Sequence, residues 1–116
     1  MTEPSPEDLV QAEKESTIAR IEALSAEFDD IVAGAADANS DDEHDPEGST
    51  VAFERARVST LLSQGRAYLE ALEQAQGRIA DGTYGVCEQC GAAIPPDRLA
   101  ALPTARTCVQ CRAAGS

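Results

Sequence analysis

The chain has 116 residues, of which 42% are hydrophobic, but it has no Trp and only 3% aromatic residues, so little large side-chain area is available for a compact globular core. Its net charge is −12, and residues 1–49 hold 15 acids against 2 bases. Such negative charge argues against nonspecific binding to nucleic acid or anionic lipid and favours a basic protein partner or a metal ion.

The first predicted element is a helix that begins near the N-terminus. Ser5 is a candidate N-cap, Pro6 suits the first helical position, and Asp8 follows the cap by three residues, as in a capping box. A helix should therefore start at Pro6.

The same helix carries a stripe of large apolar residues at three- and four-residue spacing. The stripe consists of Ile21, Leu24, Phe28 and Ile31. Before Ile18 the pattern is less apolar, with Lys14 and Thr17 in register, and we expect this stretch to fray. The helix should end near Gly34 or one turn later.

Residues 40–49, SDDEHDPEGS, contain five carboxylates and the only histidine, His44. Asp, Pro, Gly and Ser are common turn residues, so the segment can be a solvated connector between helices. It can also present negative charge to a partner. A single loop histidine with no nucleophile nearby does not indicate catalysis, and we find no sign of an enzyme.

A second helix is predicted from about Thr50 to Asp81, with Gly82 as the stop. One heptad position holds Val51, Val58, Gly65, Leu72 and Ile79, and the other holds Leu61, Tyr68 and Ala75, with Leu62 and Leu69 widening the stripe. Gly65 in this seam should permit close approach of the helices.

Two amphipathic helices of about 30 residues joined by a short loop indicate an antiparallel hairpin. The predicted fold is mainly α. Residues 1–81 form an antiparallel coiled-coil hairpin with an acidic tip at about 37–49, and residues 82–116 form a small four-cysteine zinc-finger module.

The four cysteines lie in two pairs with the spacing C-x2-C-x17-C-x2-C. Each pair can supply two of the four ligands of a tetrahedrally coordinated ion from a tight turn, and Gly91 gives the first turn backbone freedom. We predict one structural Zn²⁺, held by Cys87, Cys90, Cys108 and Cys111. Iron is an alternative that absorption spectra would separate from zinc. A dithiol redox site is less favoured, because no beta-alpha-beta pattern surrounds either pair. A catalytic zinc is less favoured, because four protein ligands leave no open coordination position.

The segment between the two pairs predicts a short helix around Asp97 to Leu102. Ile94, Leu99 and Leu102 are the expected core beneath the metal. So small a core should not fold without the ion, so metal binding and folding should be coupled.

The stretch GTYGVCEQCGAAIPPDRLAALPTARTCVQC, residues 82–111, resembles the DksA/TraR family of bacterial zinc-finger transcription regulators. The resemblance implies a protein that binds RNA polymerase without binding DNA, with its coiled coil inserted through the secondary channel and its tip acids near the catalytic magnesium. The family's tip carries Asp-x-x-Asp-x-Ala. With a shift of two residues, Asp42 and Asp45 match its acids and Glu47 stands in place of the alanine, which makes these three the candidate effector residues.

Other functions remain open at this point. The main alternative is a small zinc-stabilised adaptor between proteins, without direct effect on transcription. A nucleic-acid-binding zinc ribbon would need a basic face with aromatic residues, for which the module offers Arg98, Arg106 and Arg112 but only Tyr84. We expect a cytoplasmic monomer without membrane contact, since no segment approaches about 18 consecutive apolar residues and the N-terminus lacks signal-peptide features.

Overall fold

The computed structural model describes residues 4–38 and 46–115, with side chains described for 4–34 and 50–113. These residues form four helices: α1 (Pro6–Ala38), α2 (Pro46–Asp81), α3 (Pro96–Ala101) and α4 (Val109–Gly115). Within the described ranges the only β pairing is an isolated antiparallel bridge between Val86 and Ala93. The predicted mainly α class is confirmed. None of the helices described is both long and apolar enough to cross a bilayer.

Helix α1 begins where its capping residues predicted. The Asp8 N–H donates to Ser5 Oγ at 3.2 Å, and the Leu9 N–H donates to the Ser5 carbonyl at 3.0 Å. The Ser5 hydroxyl therefore satisfies one of the N–H groups that lack partners in a first helical turn, and the Ser5 carbonyl accepts the first regular bond of the helix. The helix ends at Ala38, one turn beyond Gly34.

Helix α2 begins at Pro46, four residues before the predicted start at Thr50. The fixed φ of proline suits a first helical position, and this start signal was missed. Glu47 thus lies within α2, whereas it was predicted in the connecting loop. Asp42 and Asp45 fall outside the described residues, as does the Glu47 side chain.

The C-terminal end of α2 agrees with the prediction. The helix stops at Asp81, and Gly82 follows with φ of 79°. Its N–H donates to the Ile79 carbonyl at 3.2 Å. Only glycine adopts this left-handed conformation without a steric cost, which is why the helix ends there.

The chain divides into two compact units, which we describe separately. Unit 1 comprises residues 1–15 and 69–116, and unit 2 comprises residues 16–68. The predicted division into 1–81 and 82–116 stays a prediction.

In unit 2, α1 and α2 pack through a seam in which Thr17, Val58, Leu62 and Gly65 are buried. A Cβ built on Gly65 would lie 3.1 Å from Ile21 Cγ1, so the predicted close approach at this glycine is confirmed. On the outer surface, Arg57 Nη2 lies 2.9 Å from Glu27 Oε1.

At the second heptad position of α2, Ala75 is buried as predicted, but Leu61 is not. Leu62 is 6% exposed and belongs to the core, whereas Leu61 is 36% exposed. Both are leucines, so the sequence pattern alone did not distinguish them. The buried series runs through Val58, Leu62 and Gly65 at four- and three-residue steps, and Leu61 lies at its edge.

In unit 1, the start of α1 packs against the end of α2. Val10, Leu72 and Ala75 are fully buried, and Lys14 Nζ donates to Gln76 Oε1 at 3.1 Å. The expected fraying of this stretch was therefore wrong. Lys14 and Gln76 are 62 residues apart, whereas Glu27 and Arg57 in unit 2 are 30 apart. The number of residues between paired side chains therefore decreases along α1, as it must when two helices are antiparallel.

Candidate metal centre

The first cysteine pair lies in a tight turn after α2. The Cys87 N–H donates to the Ala92 carbonyl at 2.8 Å, and the Gly91 N–H donates to the Cys87 carbonyl at 2.9 Å. Gly91 has φ of 77°, so it closes the turn in a conformation that disfavours a side chain. The turn places Cys87 in the interior and leaves Cys90 exposed.

The second pair lies at the start of α4, a helix that was not predicted. Cys108 directly precedes it, and the Arg112 N–H donates to the Cys108 carbonyl at 2.9 Å. Cys111 follows Cys108 by three residues, so both thiols can share one face of a single helical turn. The three-residue spacing of these cysteines could therefore have predicted this helix.

The two pairs converge, as predicted. The four sulfur atoms all lie within 4.8 Å of one another, and Cys90 Sγ is 3.8 Å from Cys108 Sγ. Tetrahedral coordination by sulfur at about 2.3 Å places the sulfurs about 3.8 Å apart, so the spacing suits a zinc ion. Where side chains are described, this is the single group of three or more residues with the arrangement of a metal site.

The electrostatics of the cluster favour a cation. Backbone amides of Cys90 and Cys108 hydrogen-bond to the Cys87 sulfur and lower the pKa of that thiol to about 6. Hydrogen bonds with the other three thiols raise the pKa of Cys111 to about 12, and the bond with Cys108 makes the largest contribution. Four thiols this close cannot all ionise without a counter-charge, and a bound divalent ion supplies it while displacing their protons.

A small core lies beneath the thiols. Cys87, Ile94 and Ala105 are buried, and Leu99 packs against them. Ile94 and Leu99 were predicted, but Leu102 is 39% exposed and was wrongly placed in this core. Helix α3 ends at Ala101, so Leu102 lies outside the helix as its C-cap.

Side-chain hydrogen bonds join the segments around this core. Tyr84 Oη donates to the Pro103 carbonyl at 2.8 Å, and partial burial raises the pKa of this phenol. Arg98 Nε in α3 donates to the Thr107 carbonyl at 2.9 Å, directly before the second cysteine pair. These contacts fix the 17-residue segment that separates the two pairs.

Sequence reasoning found the four cysteines but missed the residues that support them. Glu88 and Arg106 form an ion pair at 2.9 Å, and Arg98 supports the second cysteine pair. Arg98 and Arg106 were considered only as a possible nucleic-acid face. Their spacing carried no signal for these contacts, because the partners of Arg98 and Arg106 lie 9 and 18 residues away, respectively.

Comparison with known proteins agrees with this geometry. Residues 82–114 match the profile of the prokaryotic dksA/traR C4-type zinc finger. This segment is a zinc finger of the DksA/TraR family. One zinc ion is the cofactor consistent with the match and with the four clustered thiols.

The chain is also similar to the solved structure of transcription factor DksA2 from Pseudomonas aeruginosa. The TM-score is 0.75 at 25% sequence identity, over 91% of this chain and 76% of DksA2. The similarity therefore extends well beyond the DksA/TraR zinc finger and includes the helices.

Sequence relatives match over shorter segments. General stress protein 16O of Bacillus subtilis is 39% identical over 75 residues, which are 65% of this chain and 46% of that protein. The RNA polymerase-binding transcription factor DksA of Escherichia coli is 36% identical over 47 residues, or 40% of this chain and 31% of DksA. The matched segments thus span less than half of these curated relatives.

Proposed function

We propose that this chain is an RNA polymerase-binding transcription regulator. The observation that carries the proposal is the similarity to DksA2 over 91% of the chain, which pairs the long helices with a DksA/TraR zinc finger. A relative named as an RNA polymerase-binding transcription factor supports it.

In this proposal the zinc is structural. Its four ligands are Cys87, Cys90, Cys108 and Cys111, whose sulfurs lie within 4.8 Å of one another. A complete set of protein ligands leaves no position for an activated water, so we infer that the zinc is not catalytic, and we propose a regulator that is not an enzyme. The ion would stabilise the small core and with it the neighbouring ends of α1 and α2 in unit 1.

The proposed partner is protein and not DNA. Arg98 and Arg106, two of the three arginines of the module, donate to partners within the module itself. The first half of the chain is strongly acidic, which opposes contact with phosphates. The proposed setting is the cytoplasm, and the proposed active form is a monomer.

We further propose that the acidic tip is the effector. Following the family resemblance, Asp42, Asp45 and Glu47 would enter the secondary channel of the polymerase and lie near its catalytic magnesium. Carboxylates placed there would change the electrostatic environment of the metal and so the stability of initiation complexes.

The test has a binding arm and a transcription arm. The full chain is mixed with core RNA polymerase of its own organism, and co-elution is measured by size-exclusion chromatography. The triple variant Asp42→Ala, Asp45→Ala, Glu47→Ala should co-elute as the wild type does, because solvated charges contribute little to folding. Its effect on in vitro transcription, at equal polymerase occupancy, should be lost.

A matched control removes the same charge elsewhere. Glu22, Asp29 and Asp30 are exposed acids on α1, and their replacement by alanine should leave the transcription effect intact. Equal loss in both triple variants would show that net charge and not the tip is responsible. A wild-type chain that fails to co-elute with polymerase would refute the proposal and favour the adaptor.

A further inference from the structure

One ion pair connects the two halves of the cysteine cluster. Glu88 follows Cys87 directly, and Arg106 precedes Cys108 by two residues. Arg106 Nε donates to Glu88 Oε1 at 2.9 Å, and the Glu88 N–H donates to the Arg106 carbonyl at 2.9 Å. We call this two-point contact the Glu88–Arg106 clasp.

The clasp matters because the two cysteine pairs are far apart in sequence. A segment of 17 residues separates Cys90 from Cys108, so closing this loop costs conformational entropy whenever the metal is bound. A contact that already holds the halves together lowers the cost that metal binding must offset. It also opposes separation of the halves, which must precede release of the ion.

The geometry points to the clasp as a positioning element for the metal. We propose that Arg106, through Glu88, holds the Cys108–Cys111 half against the Cys87–Cys90 half and thereby slows zinc release. The inference rests on the proposed zinc site but concerns residues that are not ligands. Arg106 acts through Glu88 and through the backbone that carries Cys108.

The expected size of the effect follows from exposure. The side chains of Glu88 and Arg106 are 42% and 54% exposed, so water and salt weaken their attraction. Exposed pairs with good geometry change equilibria by about two- to five-fold. We therefore expect zinc release to accelerate by about two- to five-fold when the pair is broken.

The experiment measures zinc release from the full chain into excess chromogenic chelator. Arg106→Ala and Glu88→Gln should each release zinc about two- to five-fold faster than the wild type. The exchanged double variant Glu88→Arg, Arg106→Glu should return towards the wild-type rate, because it restores opposite charges at the same positions. Arg66→Ala, an exposed arginine in unit 2, is the control and should release zinc at the wild-type rate.

Salt provides a readout that simple loss of packing would not produce. The difference between wild type and Arg106→Ala should shrink in about 1 M salt, where the screening length falls to about 3 Å. With Co²⁺ in place of zinc, the charge-transfer absorption from sulfur should be the same in all variants, because the ligand set is unchanged.

The outcomes are distinguishable. Single variants with wild-type release rates, or an exchanged double variant that is as fast as the singles, would overturn the clasp while leaving the zinc site intact. A wild-type chain that retains no zinc would instead refute the proposed site.

Discussion

Two adjacent leucines in α2 give the sharpest test of the helix packing. Leu62 is 6% exposed and Leu61 is 36% exposed, although a heptad count from the sequence places Leu61 in the seam. The variants Leu62→Ala and Leu61→Ala remove the same atoms from the same helix one residue apart. Differences in helix propensity and in the unfolded chain therefore largely cancel.

The magnitudes follow from burial. Leu62→Ala loses nearly all of its transfer free energy and leaves a cavity, so we expect a loss of about 2 to 4 kcal/mol in the free energy of unfolding. Leu61→Ala loses only part of that transfer term, and water can fill the space, so its loss should be about 1 kcal/mol.

The assay is urea unfolding followed by circular dichroism of the helices, with zinc in excess for every variant so that ligand binding contributes equally. With a urea m value of about 1 to 2 kcal/mol/M, the two midpoints should differ by about 1 M. An equal or larger loss for Leu61→Ala would refute the packing described here and restore the seam expected from the heptad count.

Three further changes test other parts of the molecule. Gly77→Ala should raise the free energy of unfolding by about 0.5 to 1 kcal/mol, since a Cβ there meets nothing within 4 Å. Gly65→Ala should give a smaller gain or a loss, because its Cβ would crowd Ile21. Urea unfolding measures both. Cys108→Ser should sharply lower the zinc content found by metal analysis while most of the helical circular dichroism of α1 and α2 survives; full zinc occupancy would contradict the assigned ligands. Burial raises the pKa of Tyr84 above its ordinary value of 10, so the folded state favours the neutral phenol and this stabilisation is lost as pH rises above 10. Tyr84→Phe should reduce that alkaline loss, and an unchanged pH profile would exclude this contribution.

The sequence predicted well those features that depend on neighbouring residues. Ser5 and Asp8 form the cap of α1, and Gly82 ends α2, because each signal acts within one turn of chain. The cysteine spacing also predicted the cluster, because two C-x2-C pairs at this separation are typical of a zinc site.

Features that depend on contacts between distant segments were not predictable in this way. Leu61 and Leu62 are chemically identical, and only the facing helix decides which of them is buried. Ala105 replaces Leu102 in the small core because α3 ends one residue before Leu102. The Glu88–Arg106 clasp likewise exists only once both cysteine turns have formed.

Lys14 shows why a count of apolar residues underestimated the start of α1. The residue interrupts the stripe, yet its side chain is only 24% exposed and its ammonium donates to the Gln76 side-chain carbonyl. The Gln76 amide in turn donates to Gln11 Oε1 at 3.0 Å, and Glu73 lies 4.0 Å from the ammonium. The polar groups in this layer find partners, so the cost of removing the Lys14 ammonium partly from water is largely offset. A hydrophobicity scale that scores residues one at a time places a gap in the apolar stripe at Lys14, because the compensating partner, Gln76, lies 62 residues further along the chain.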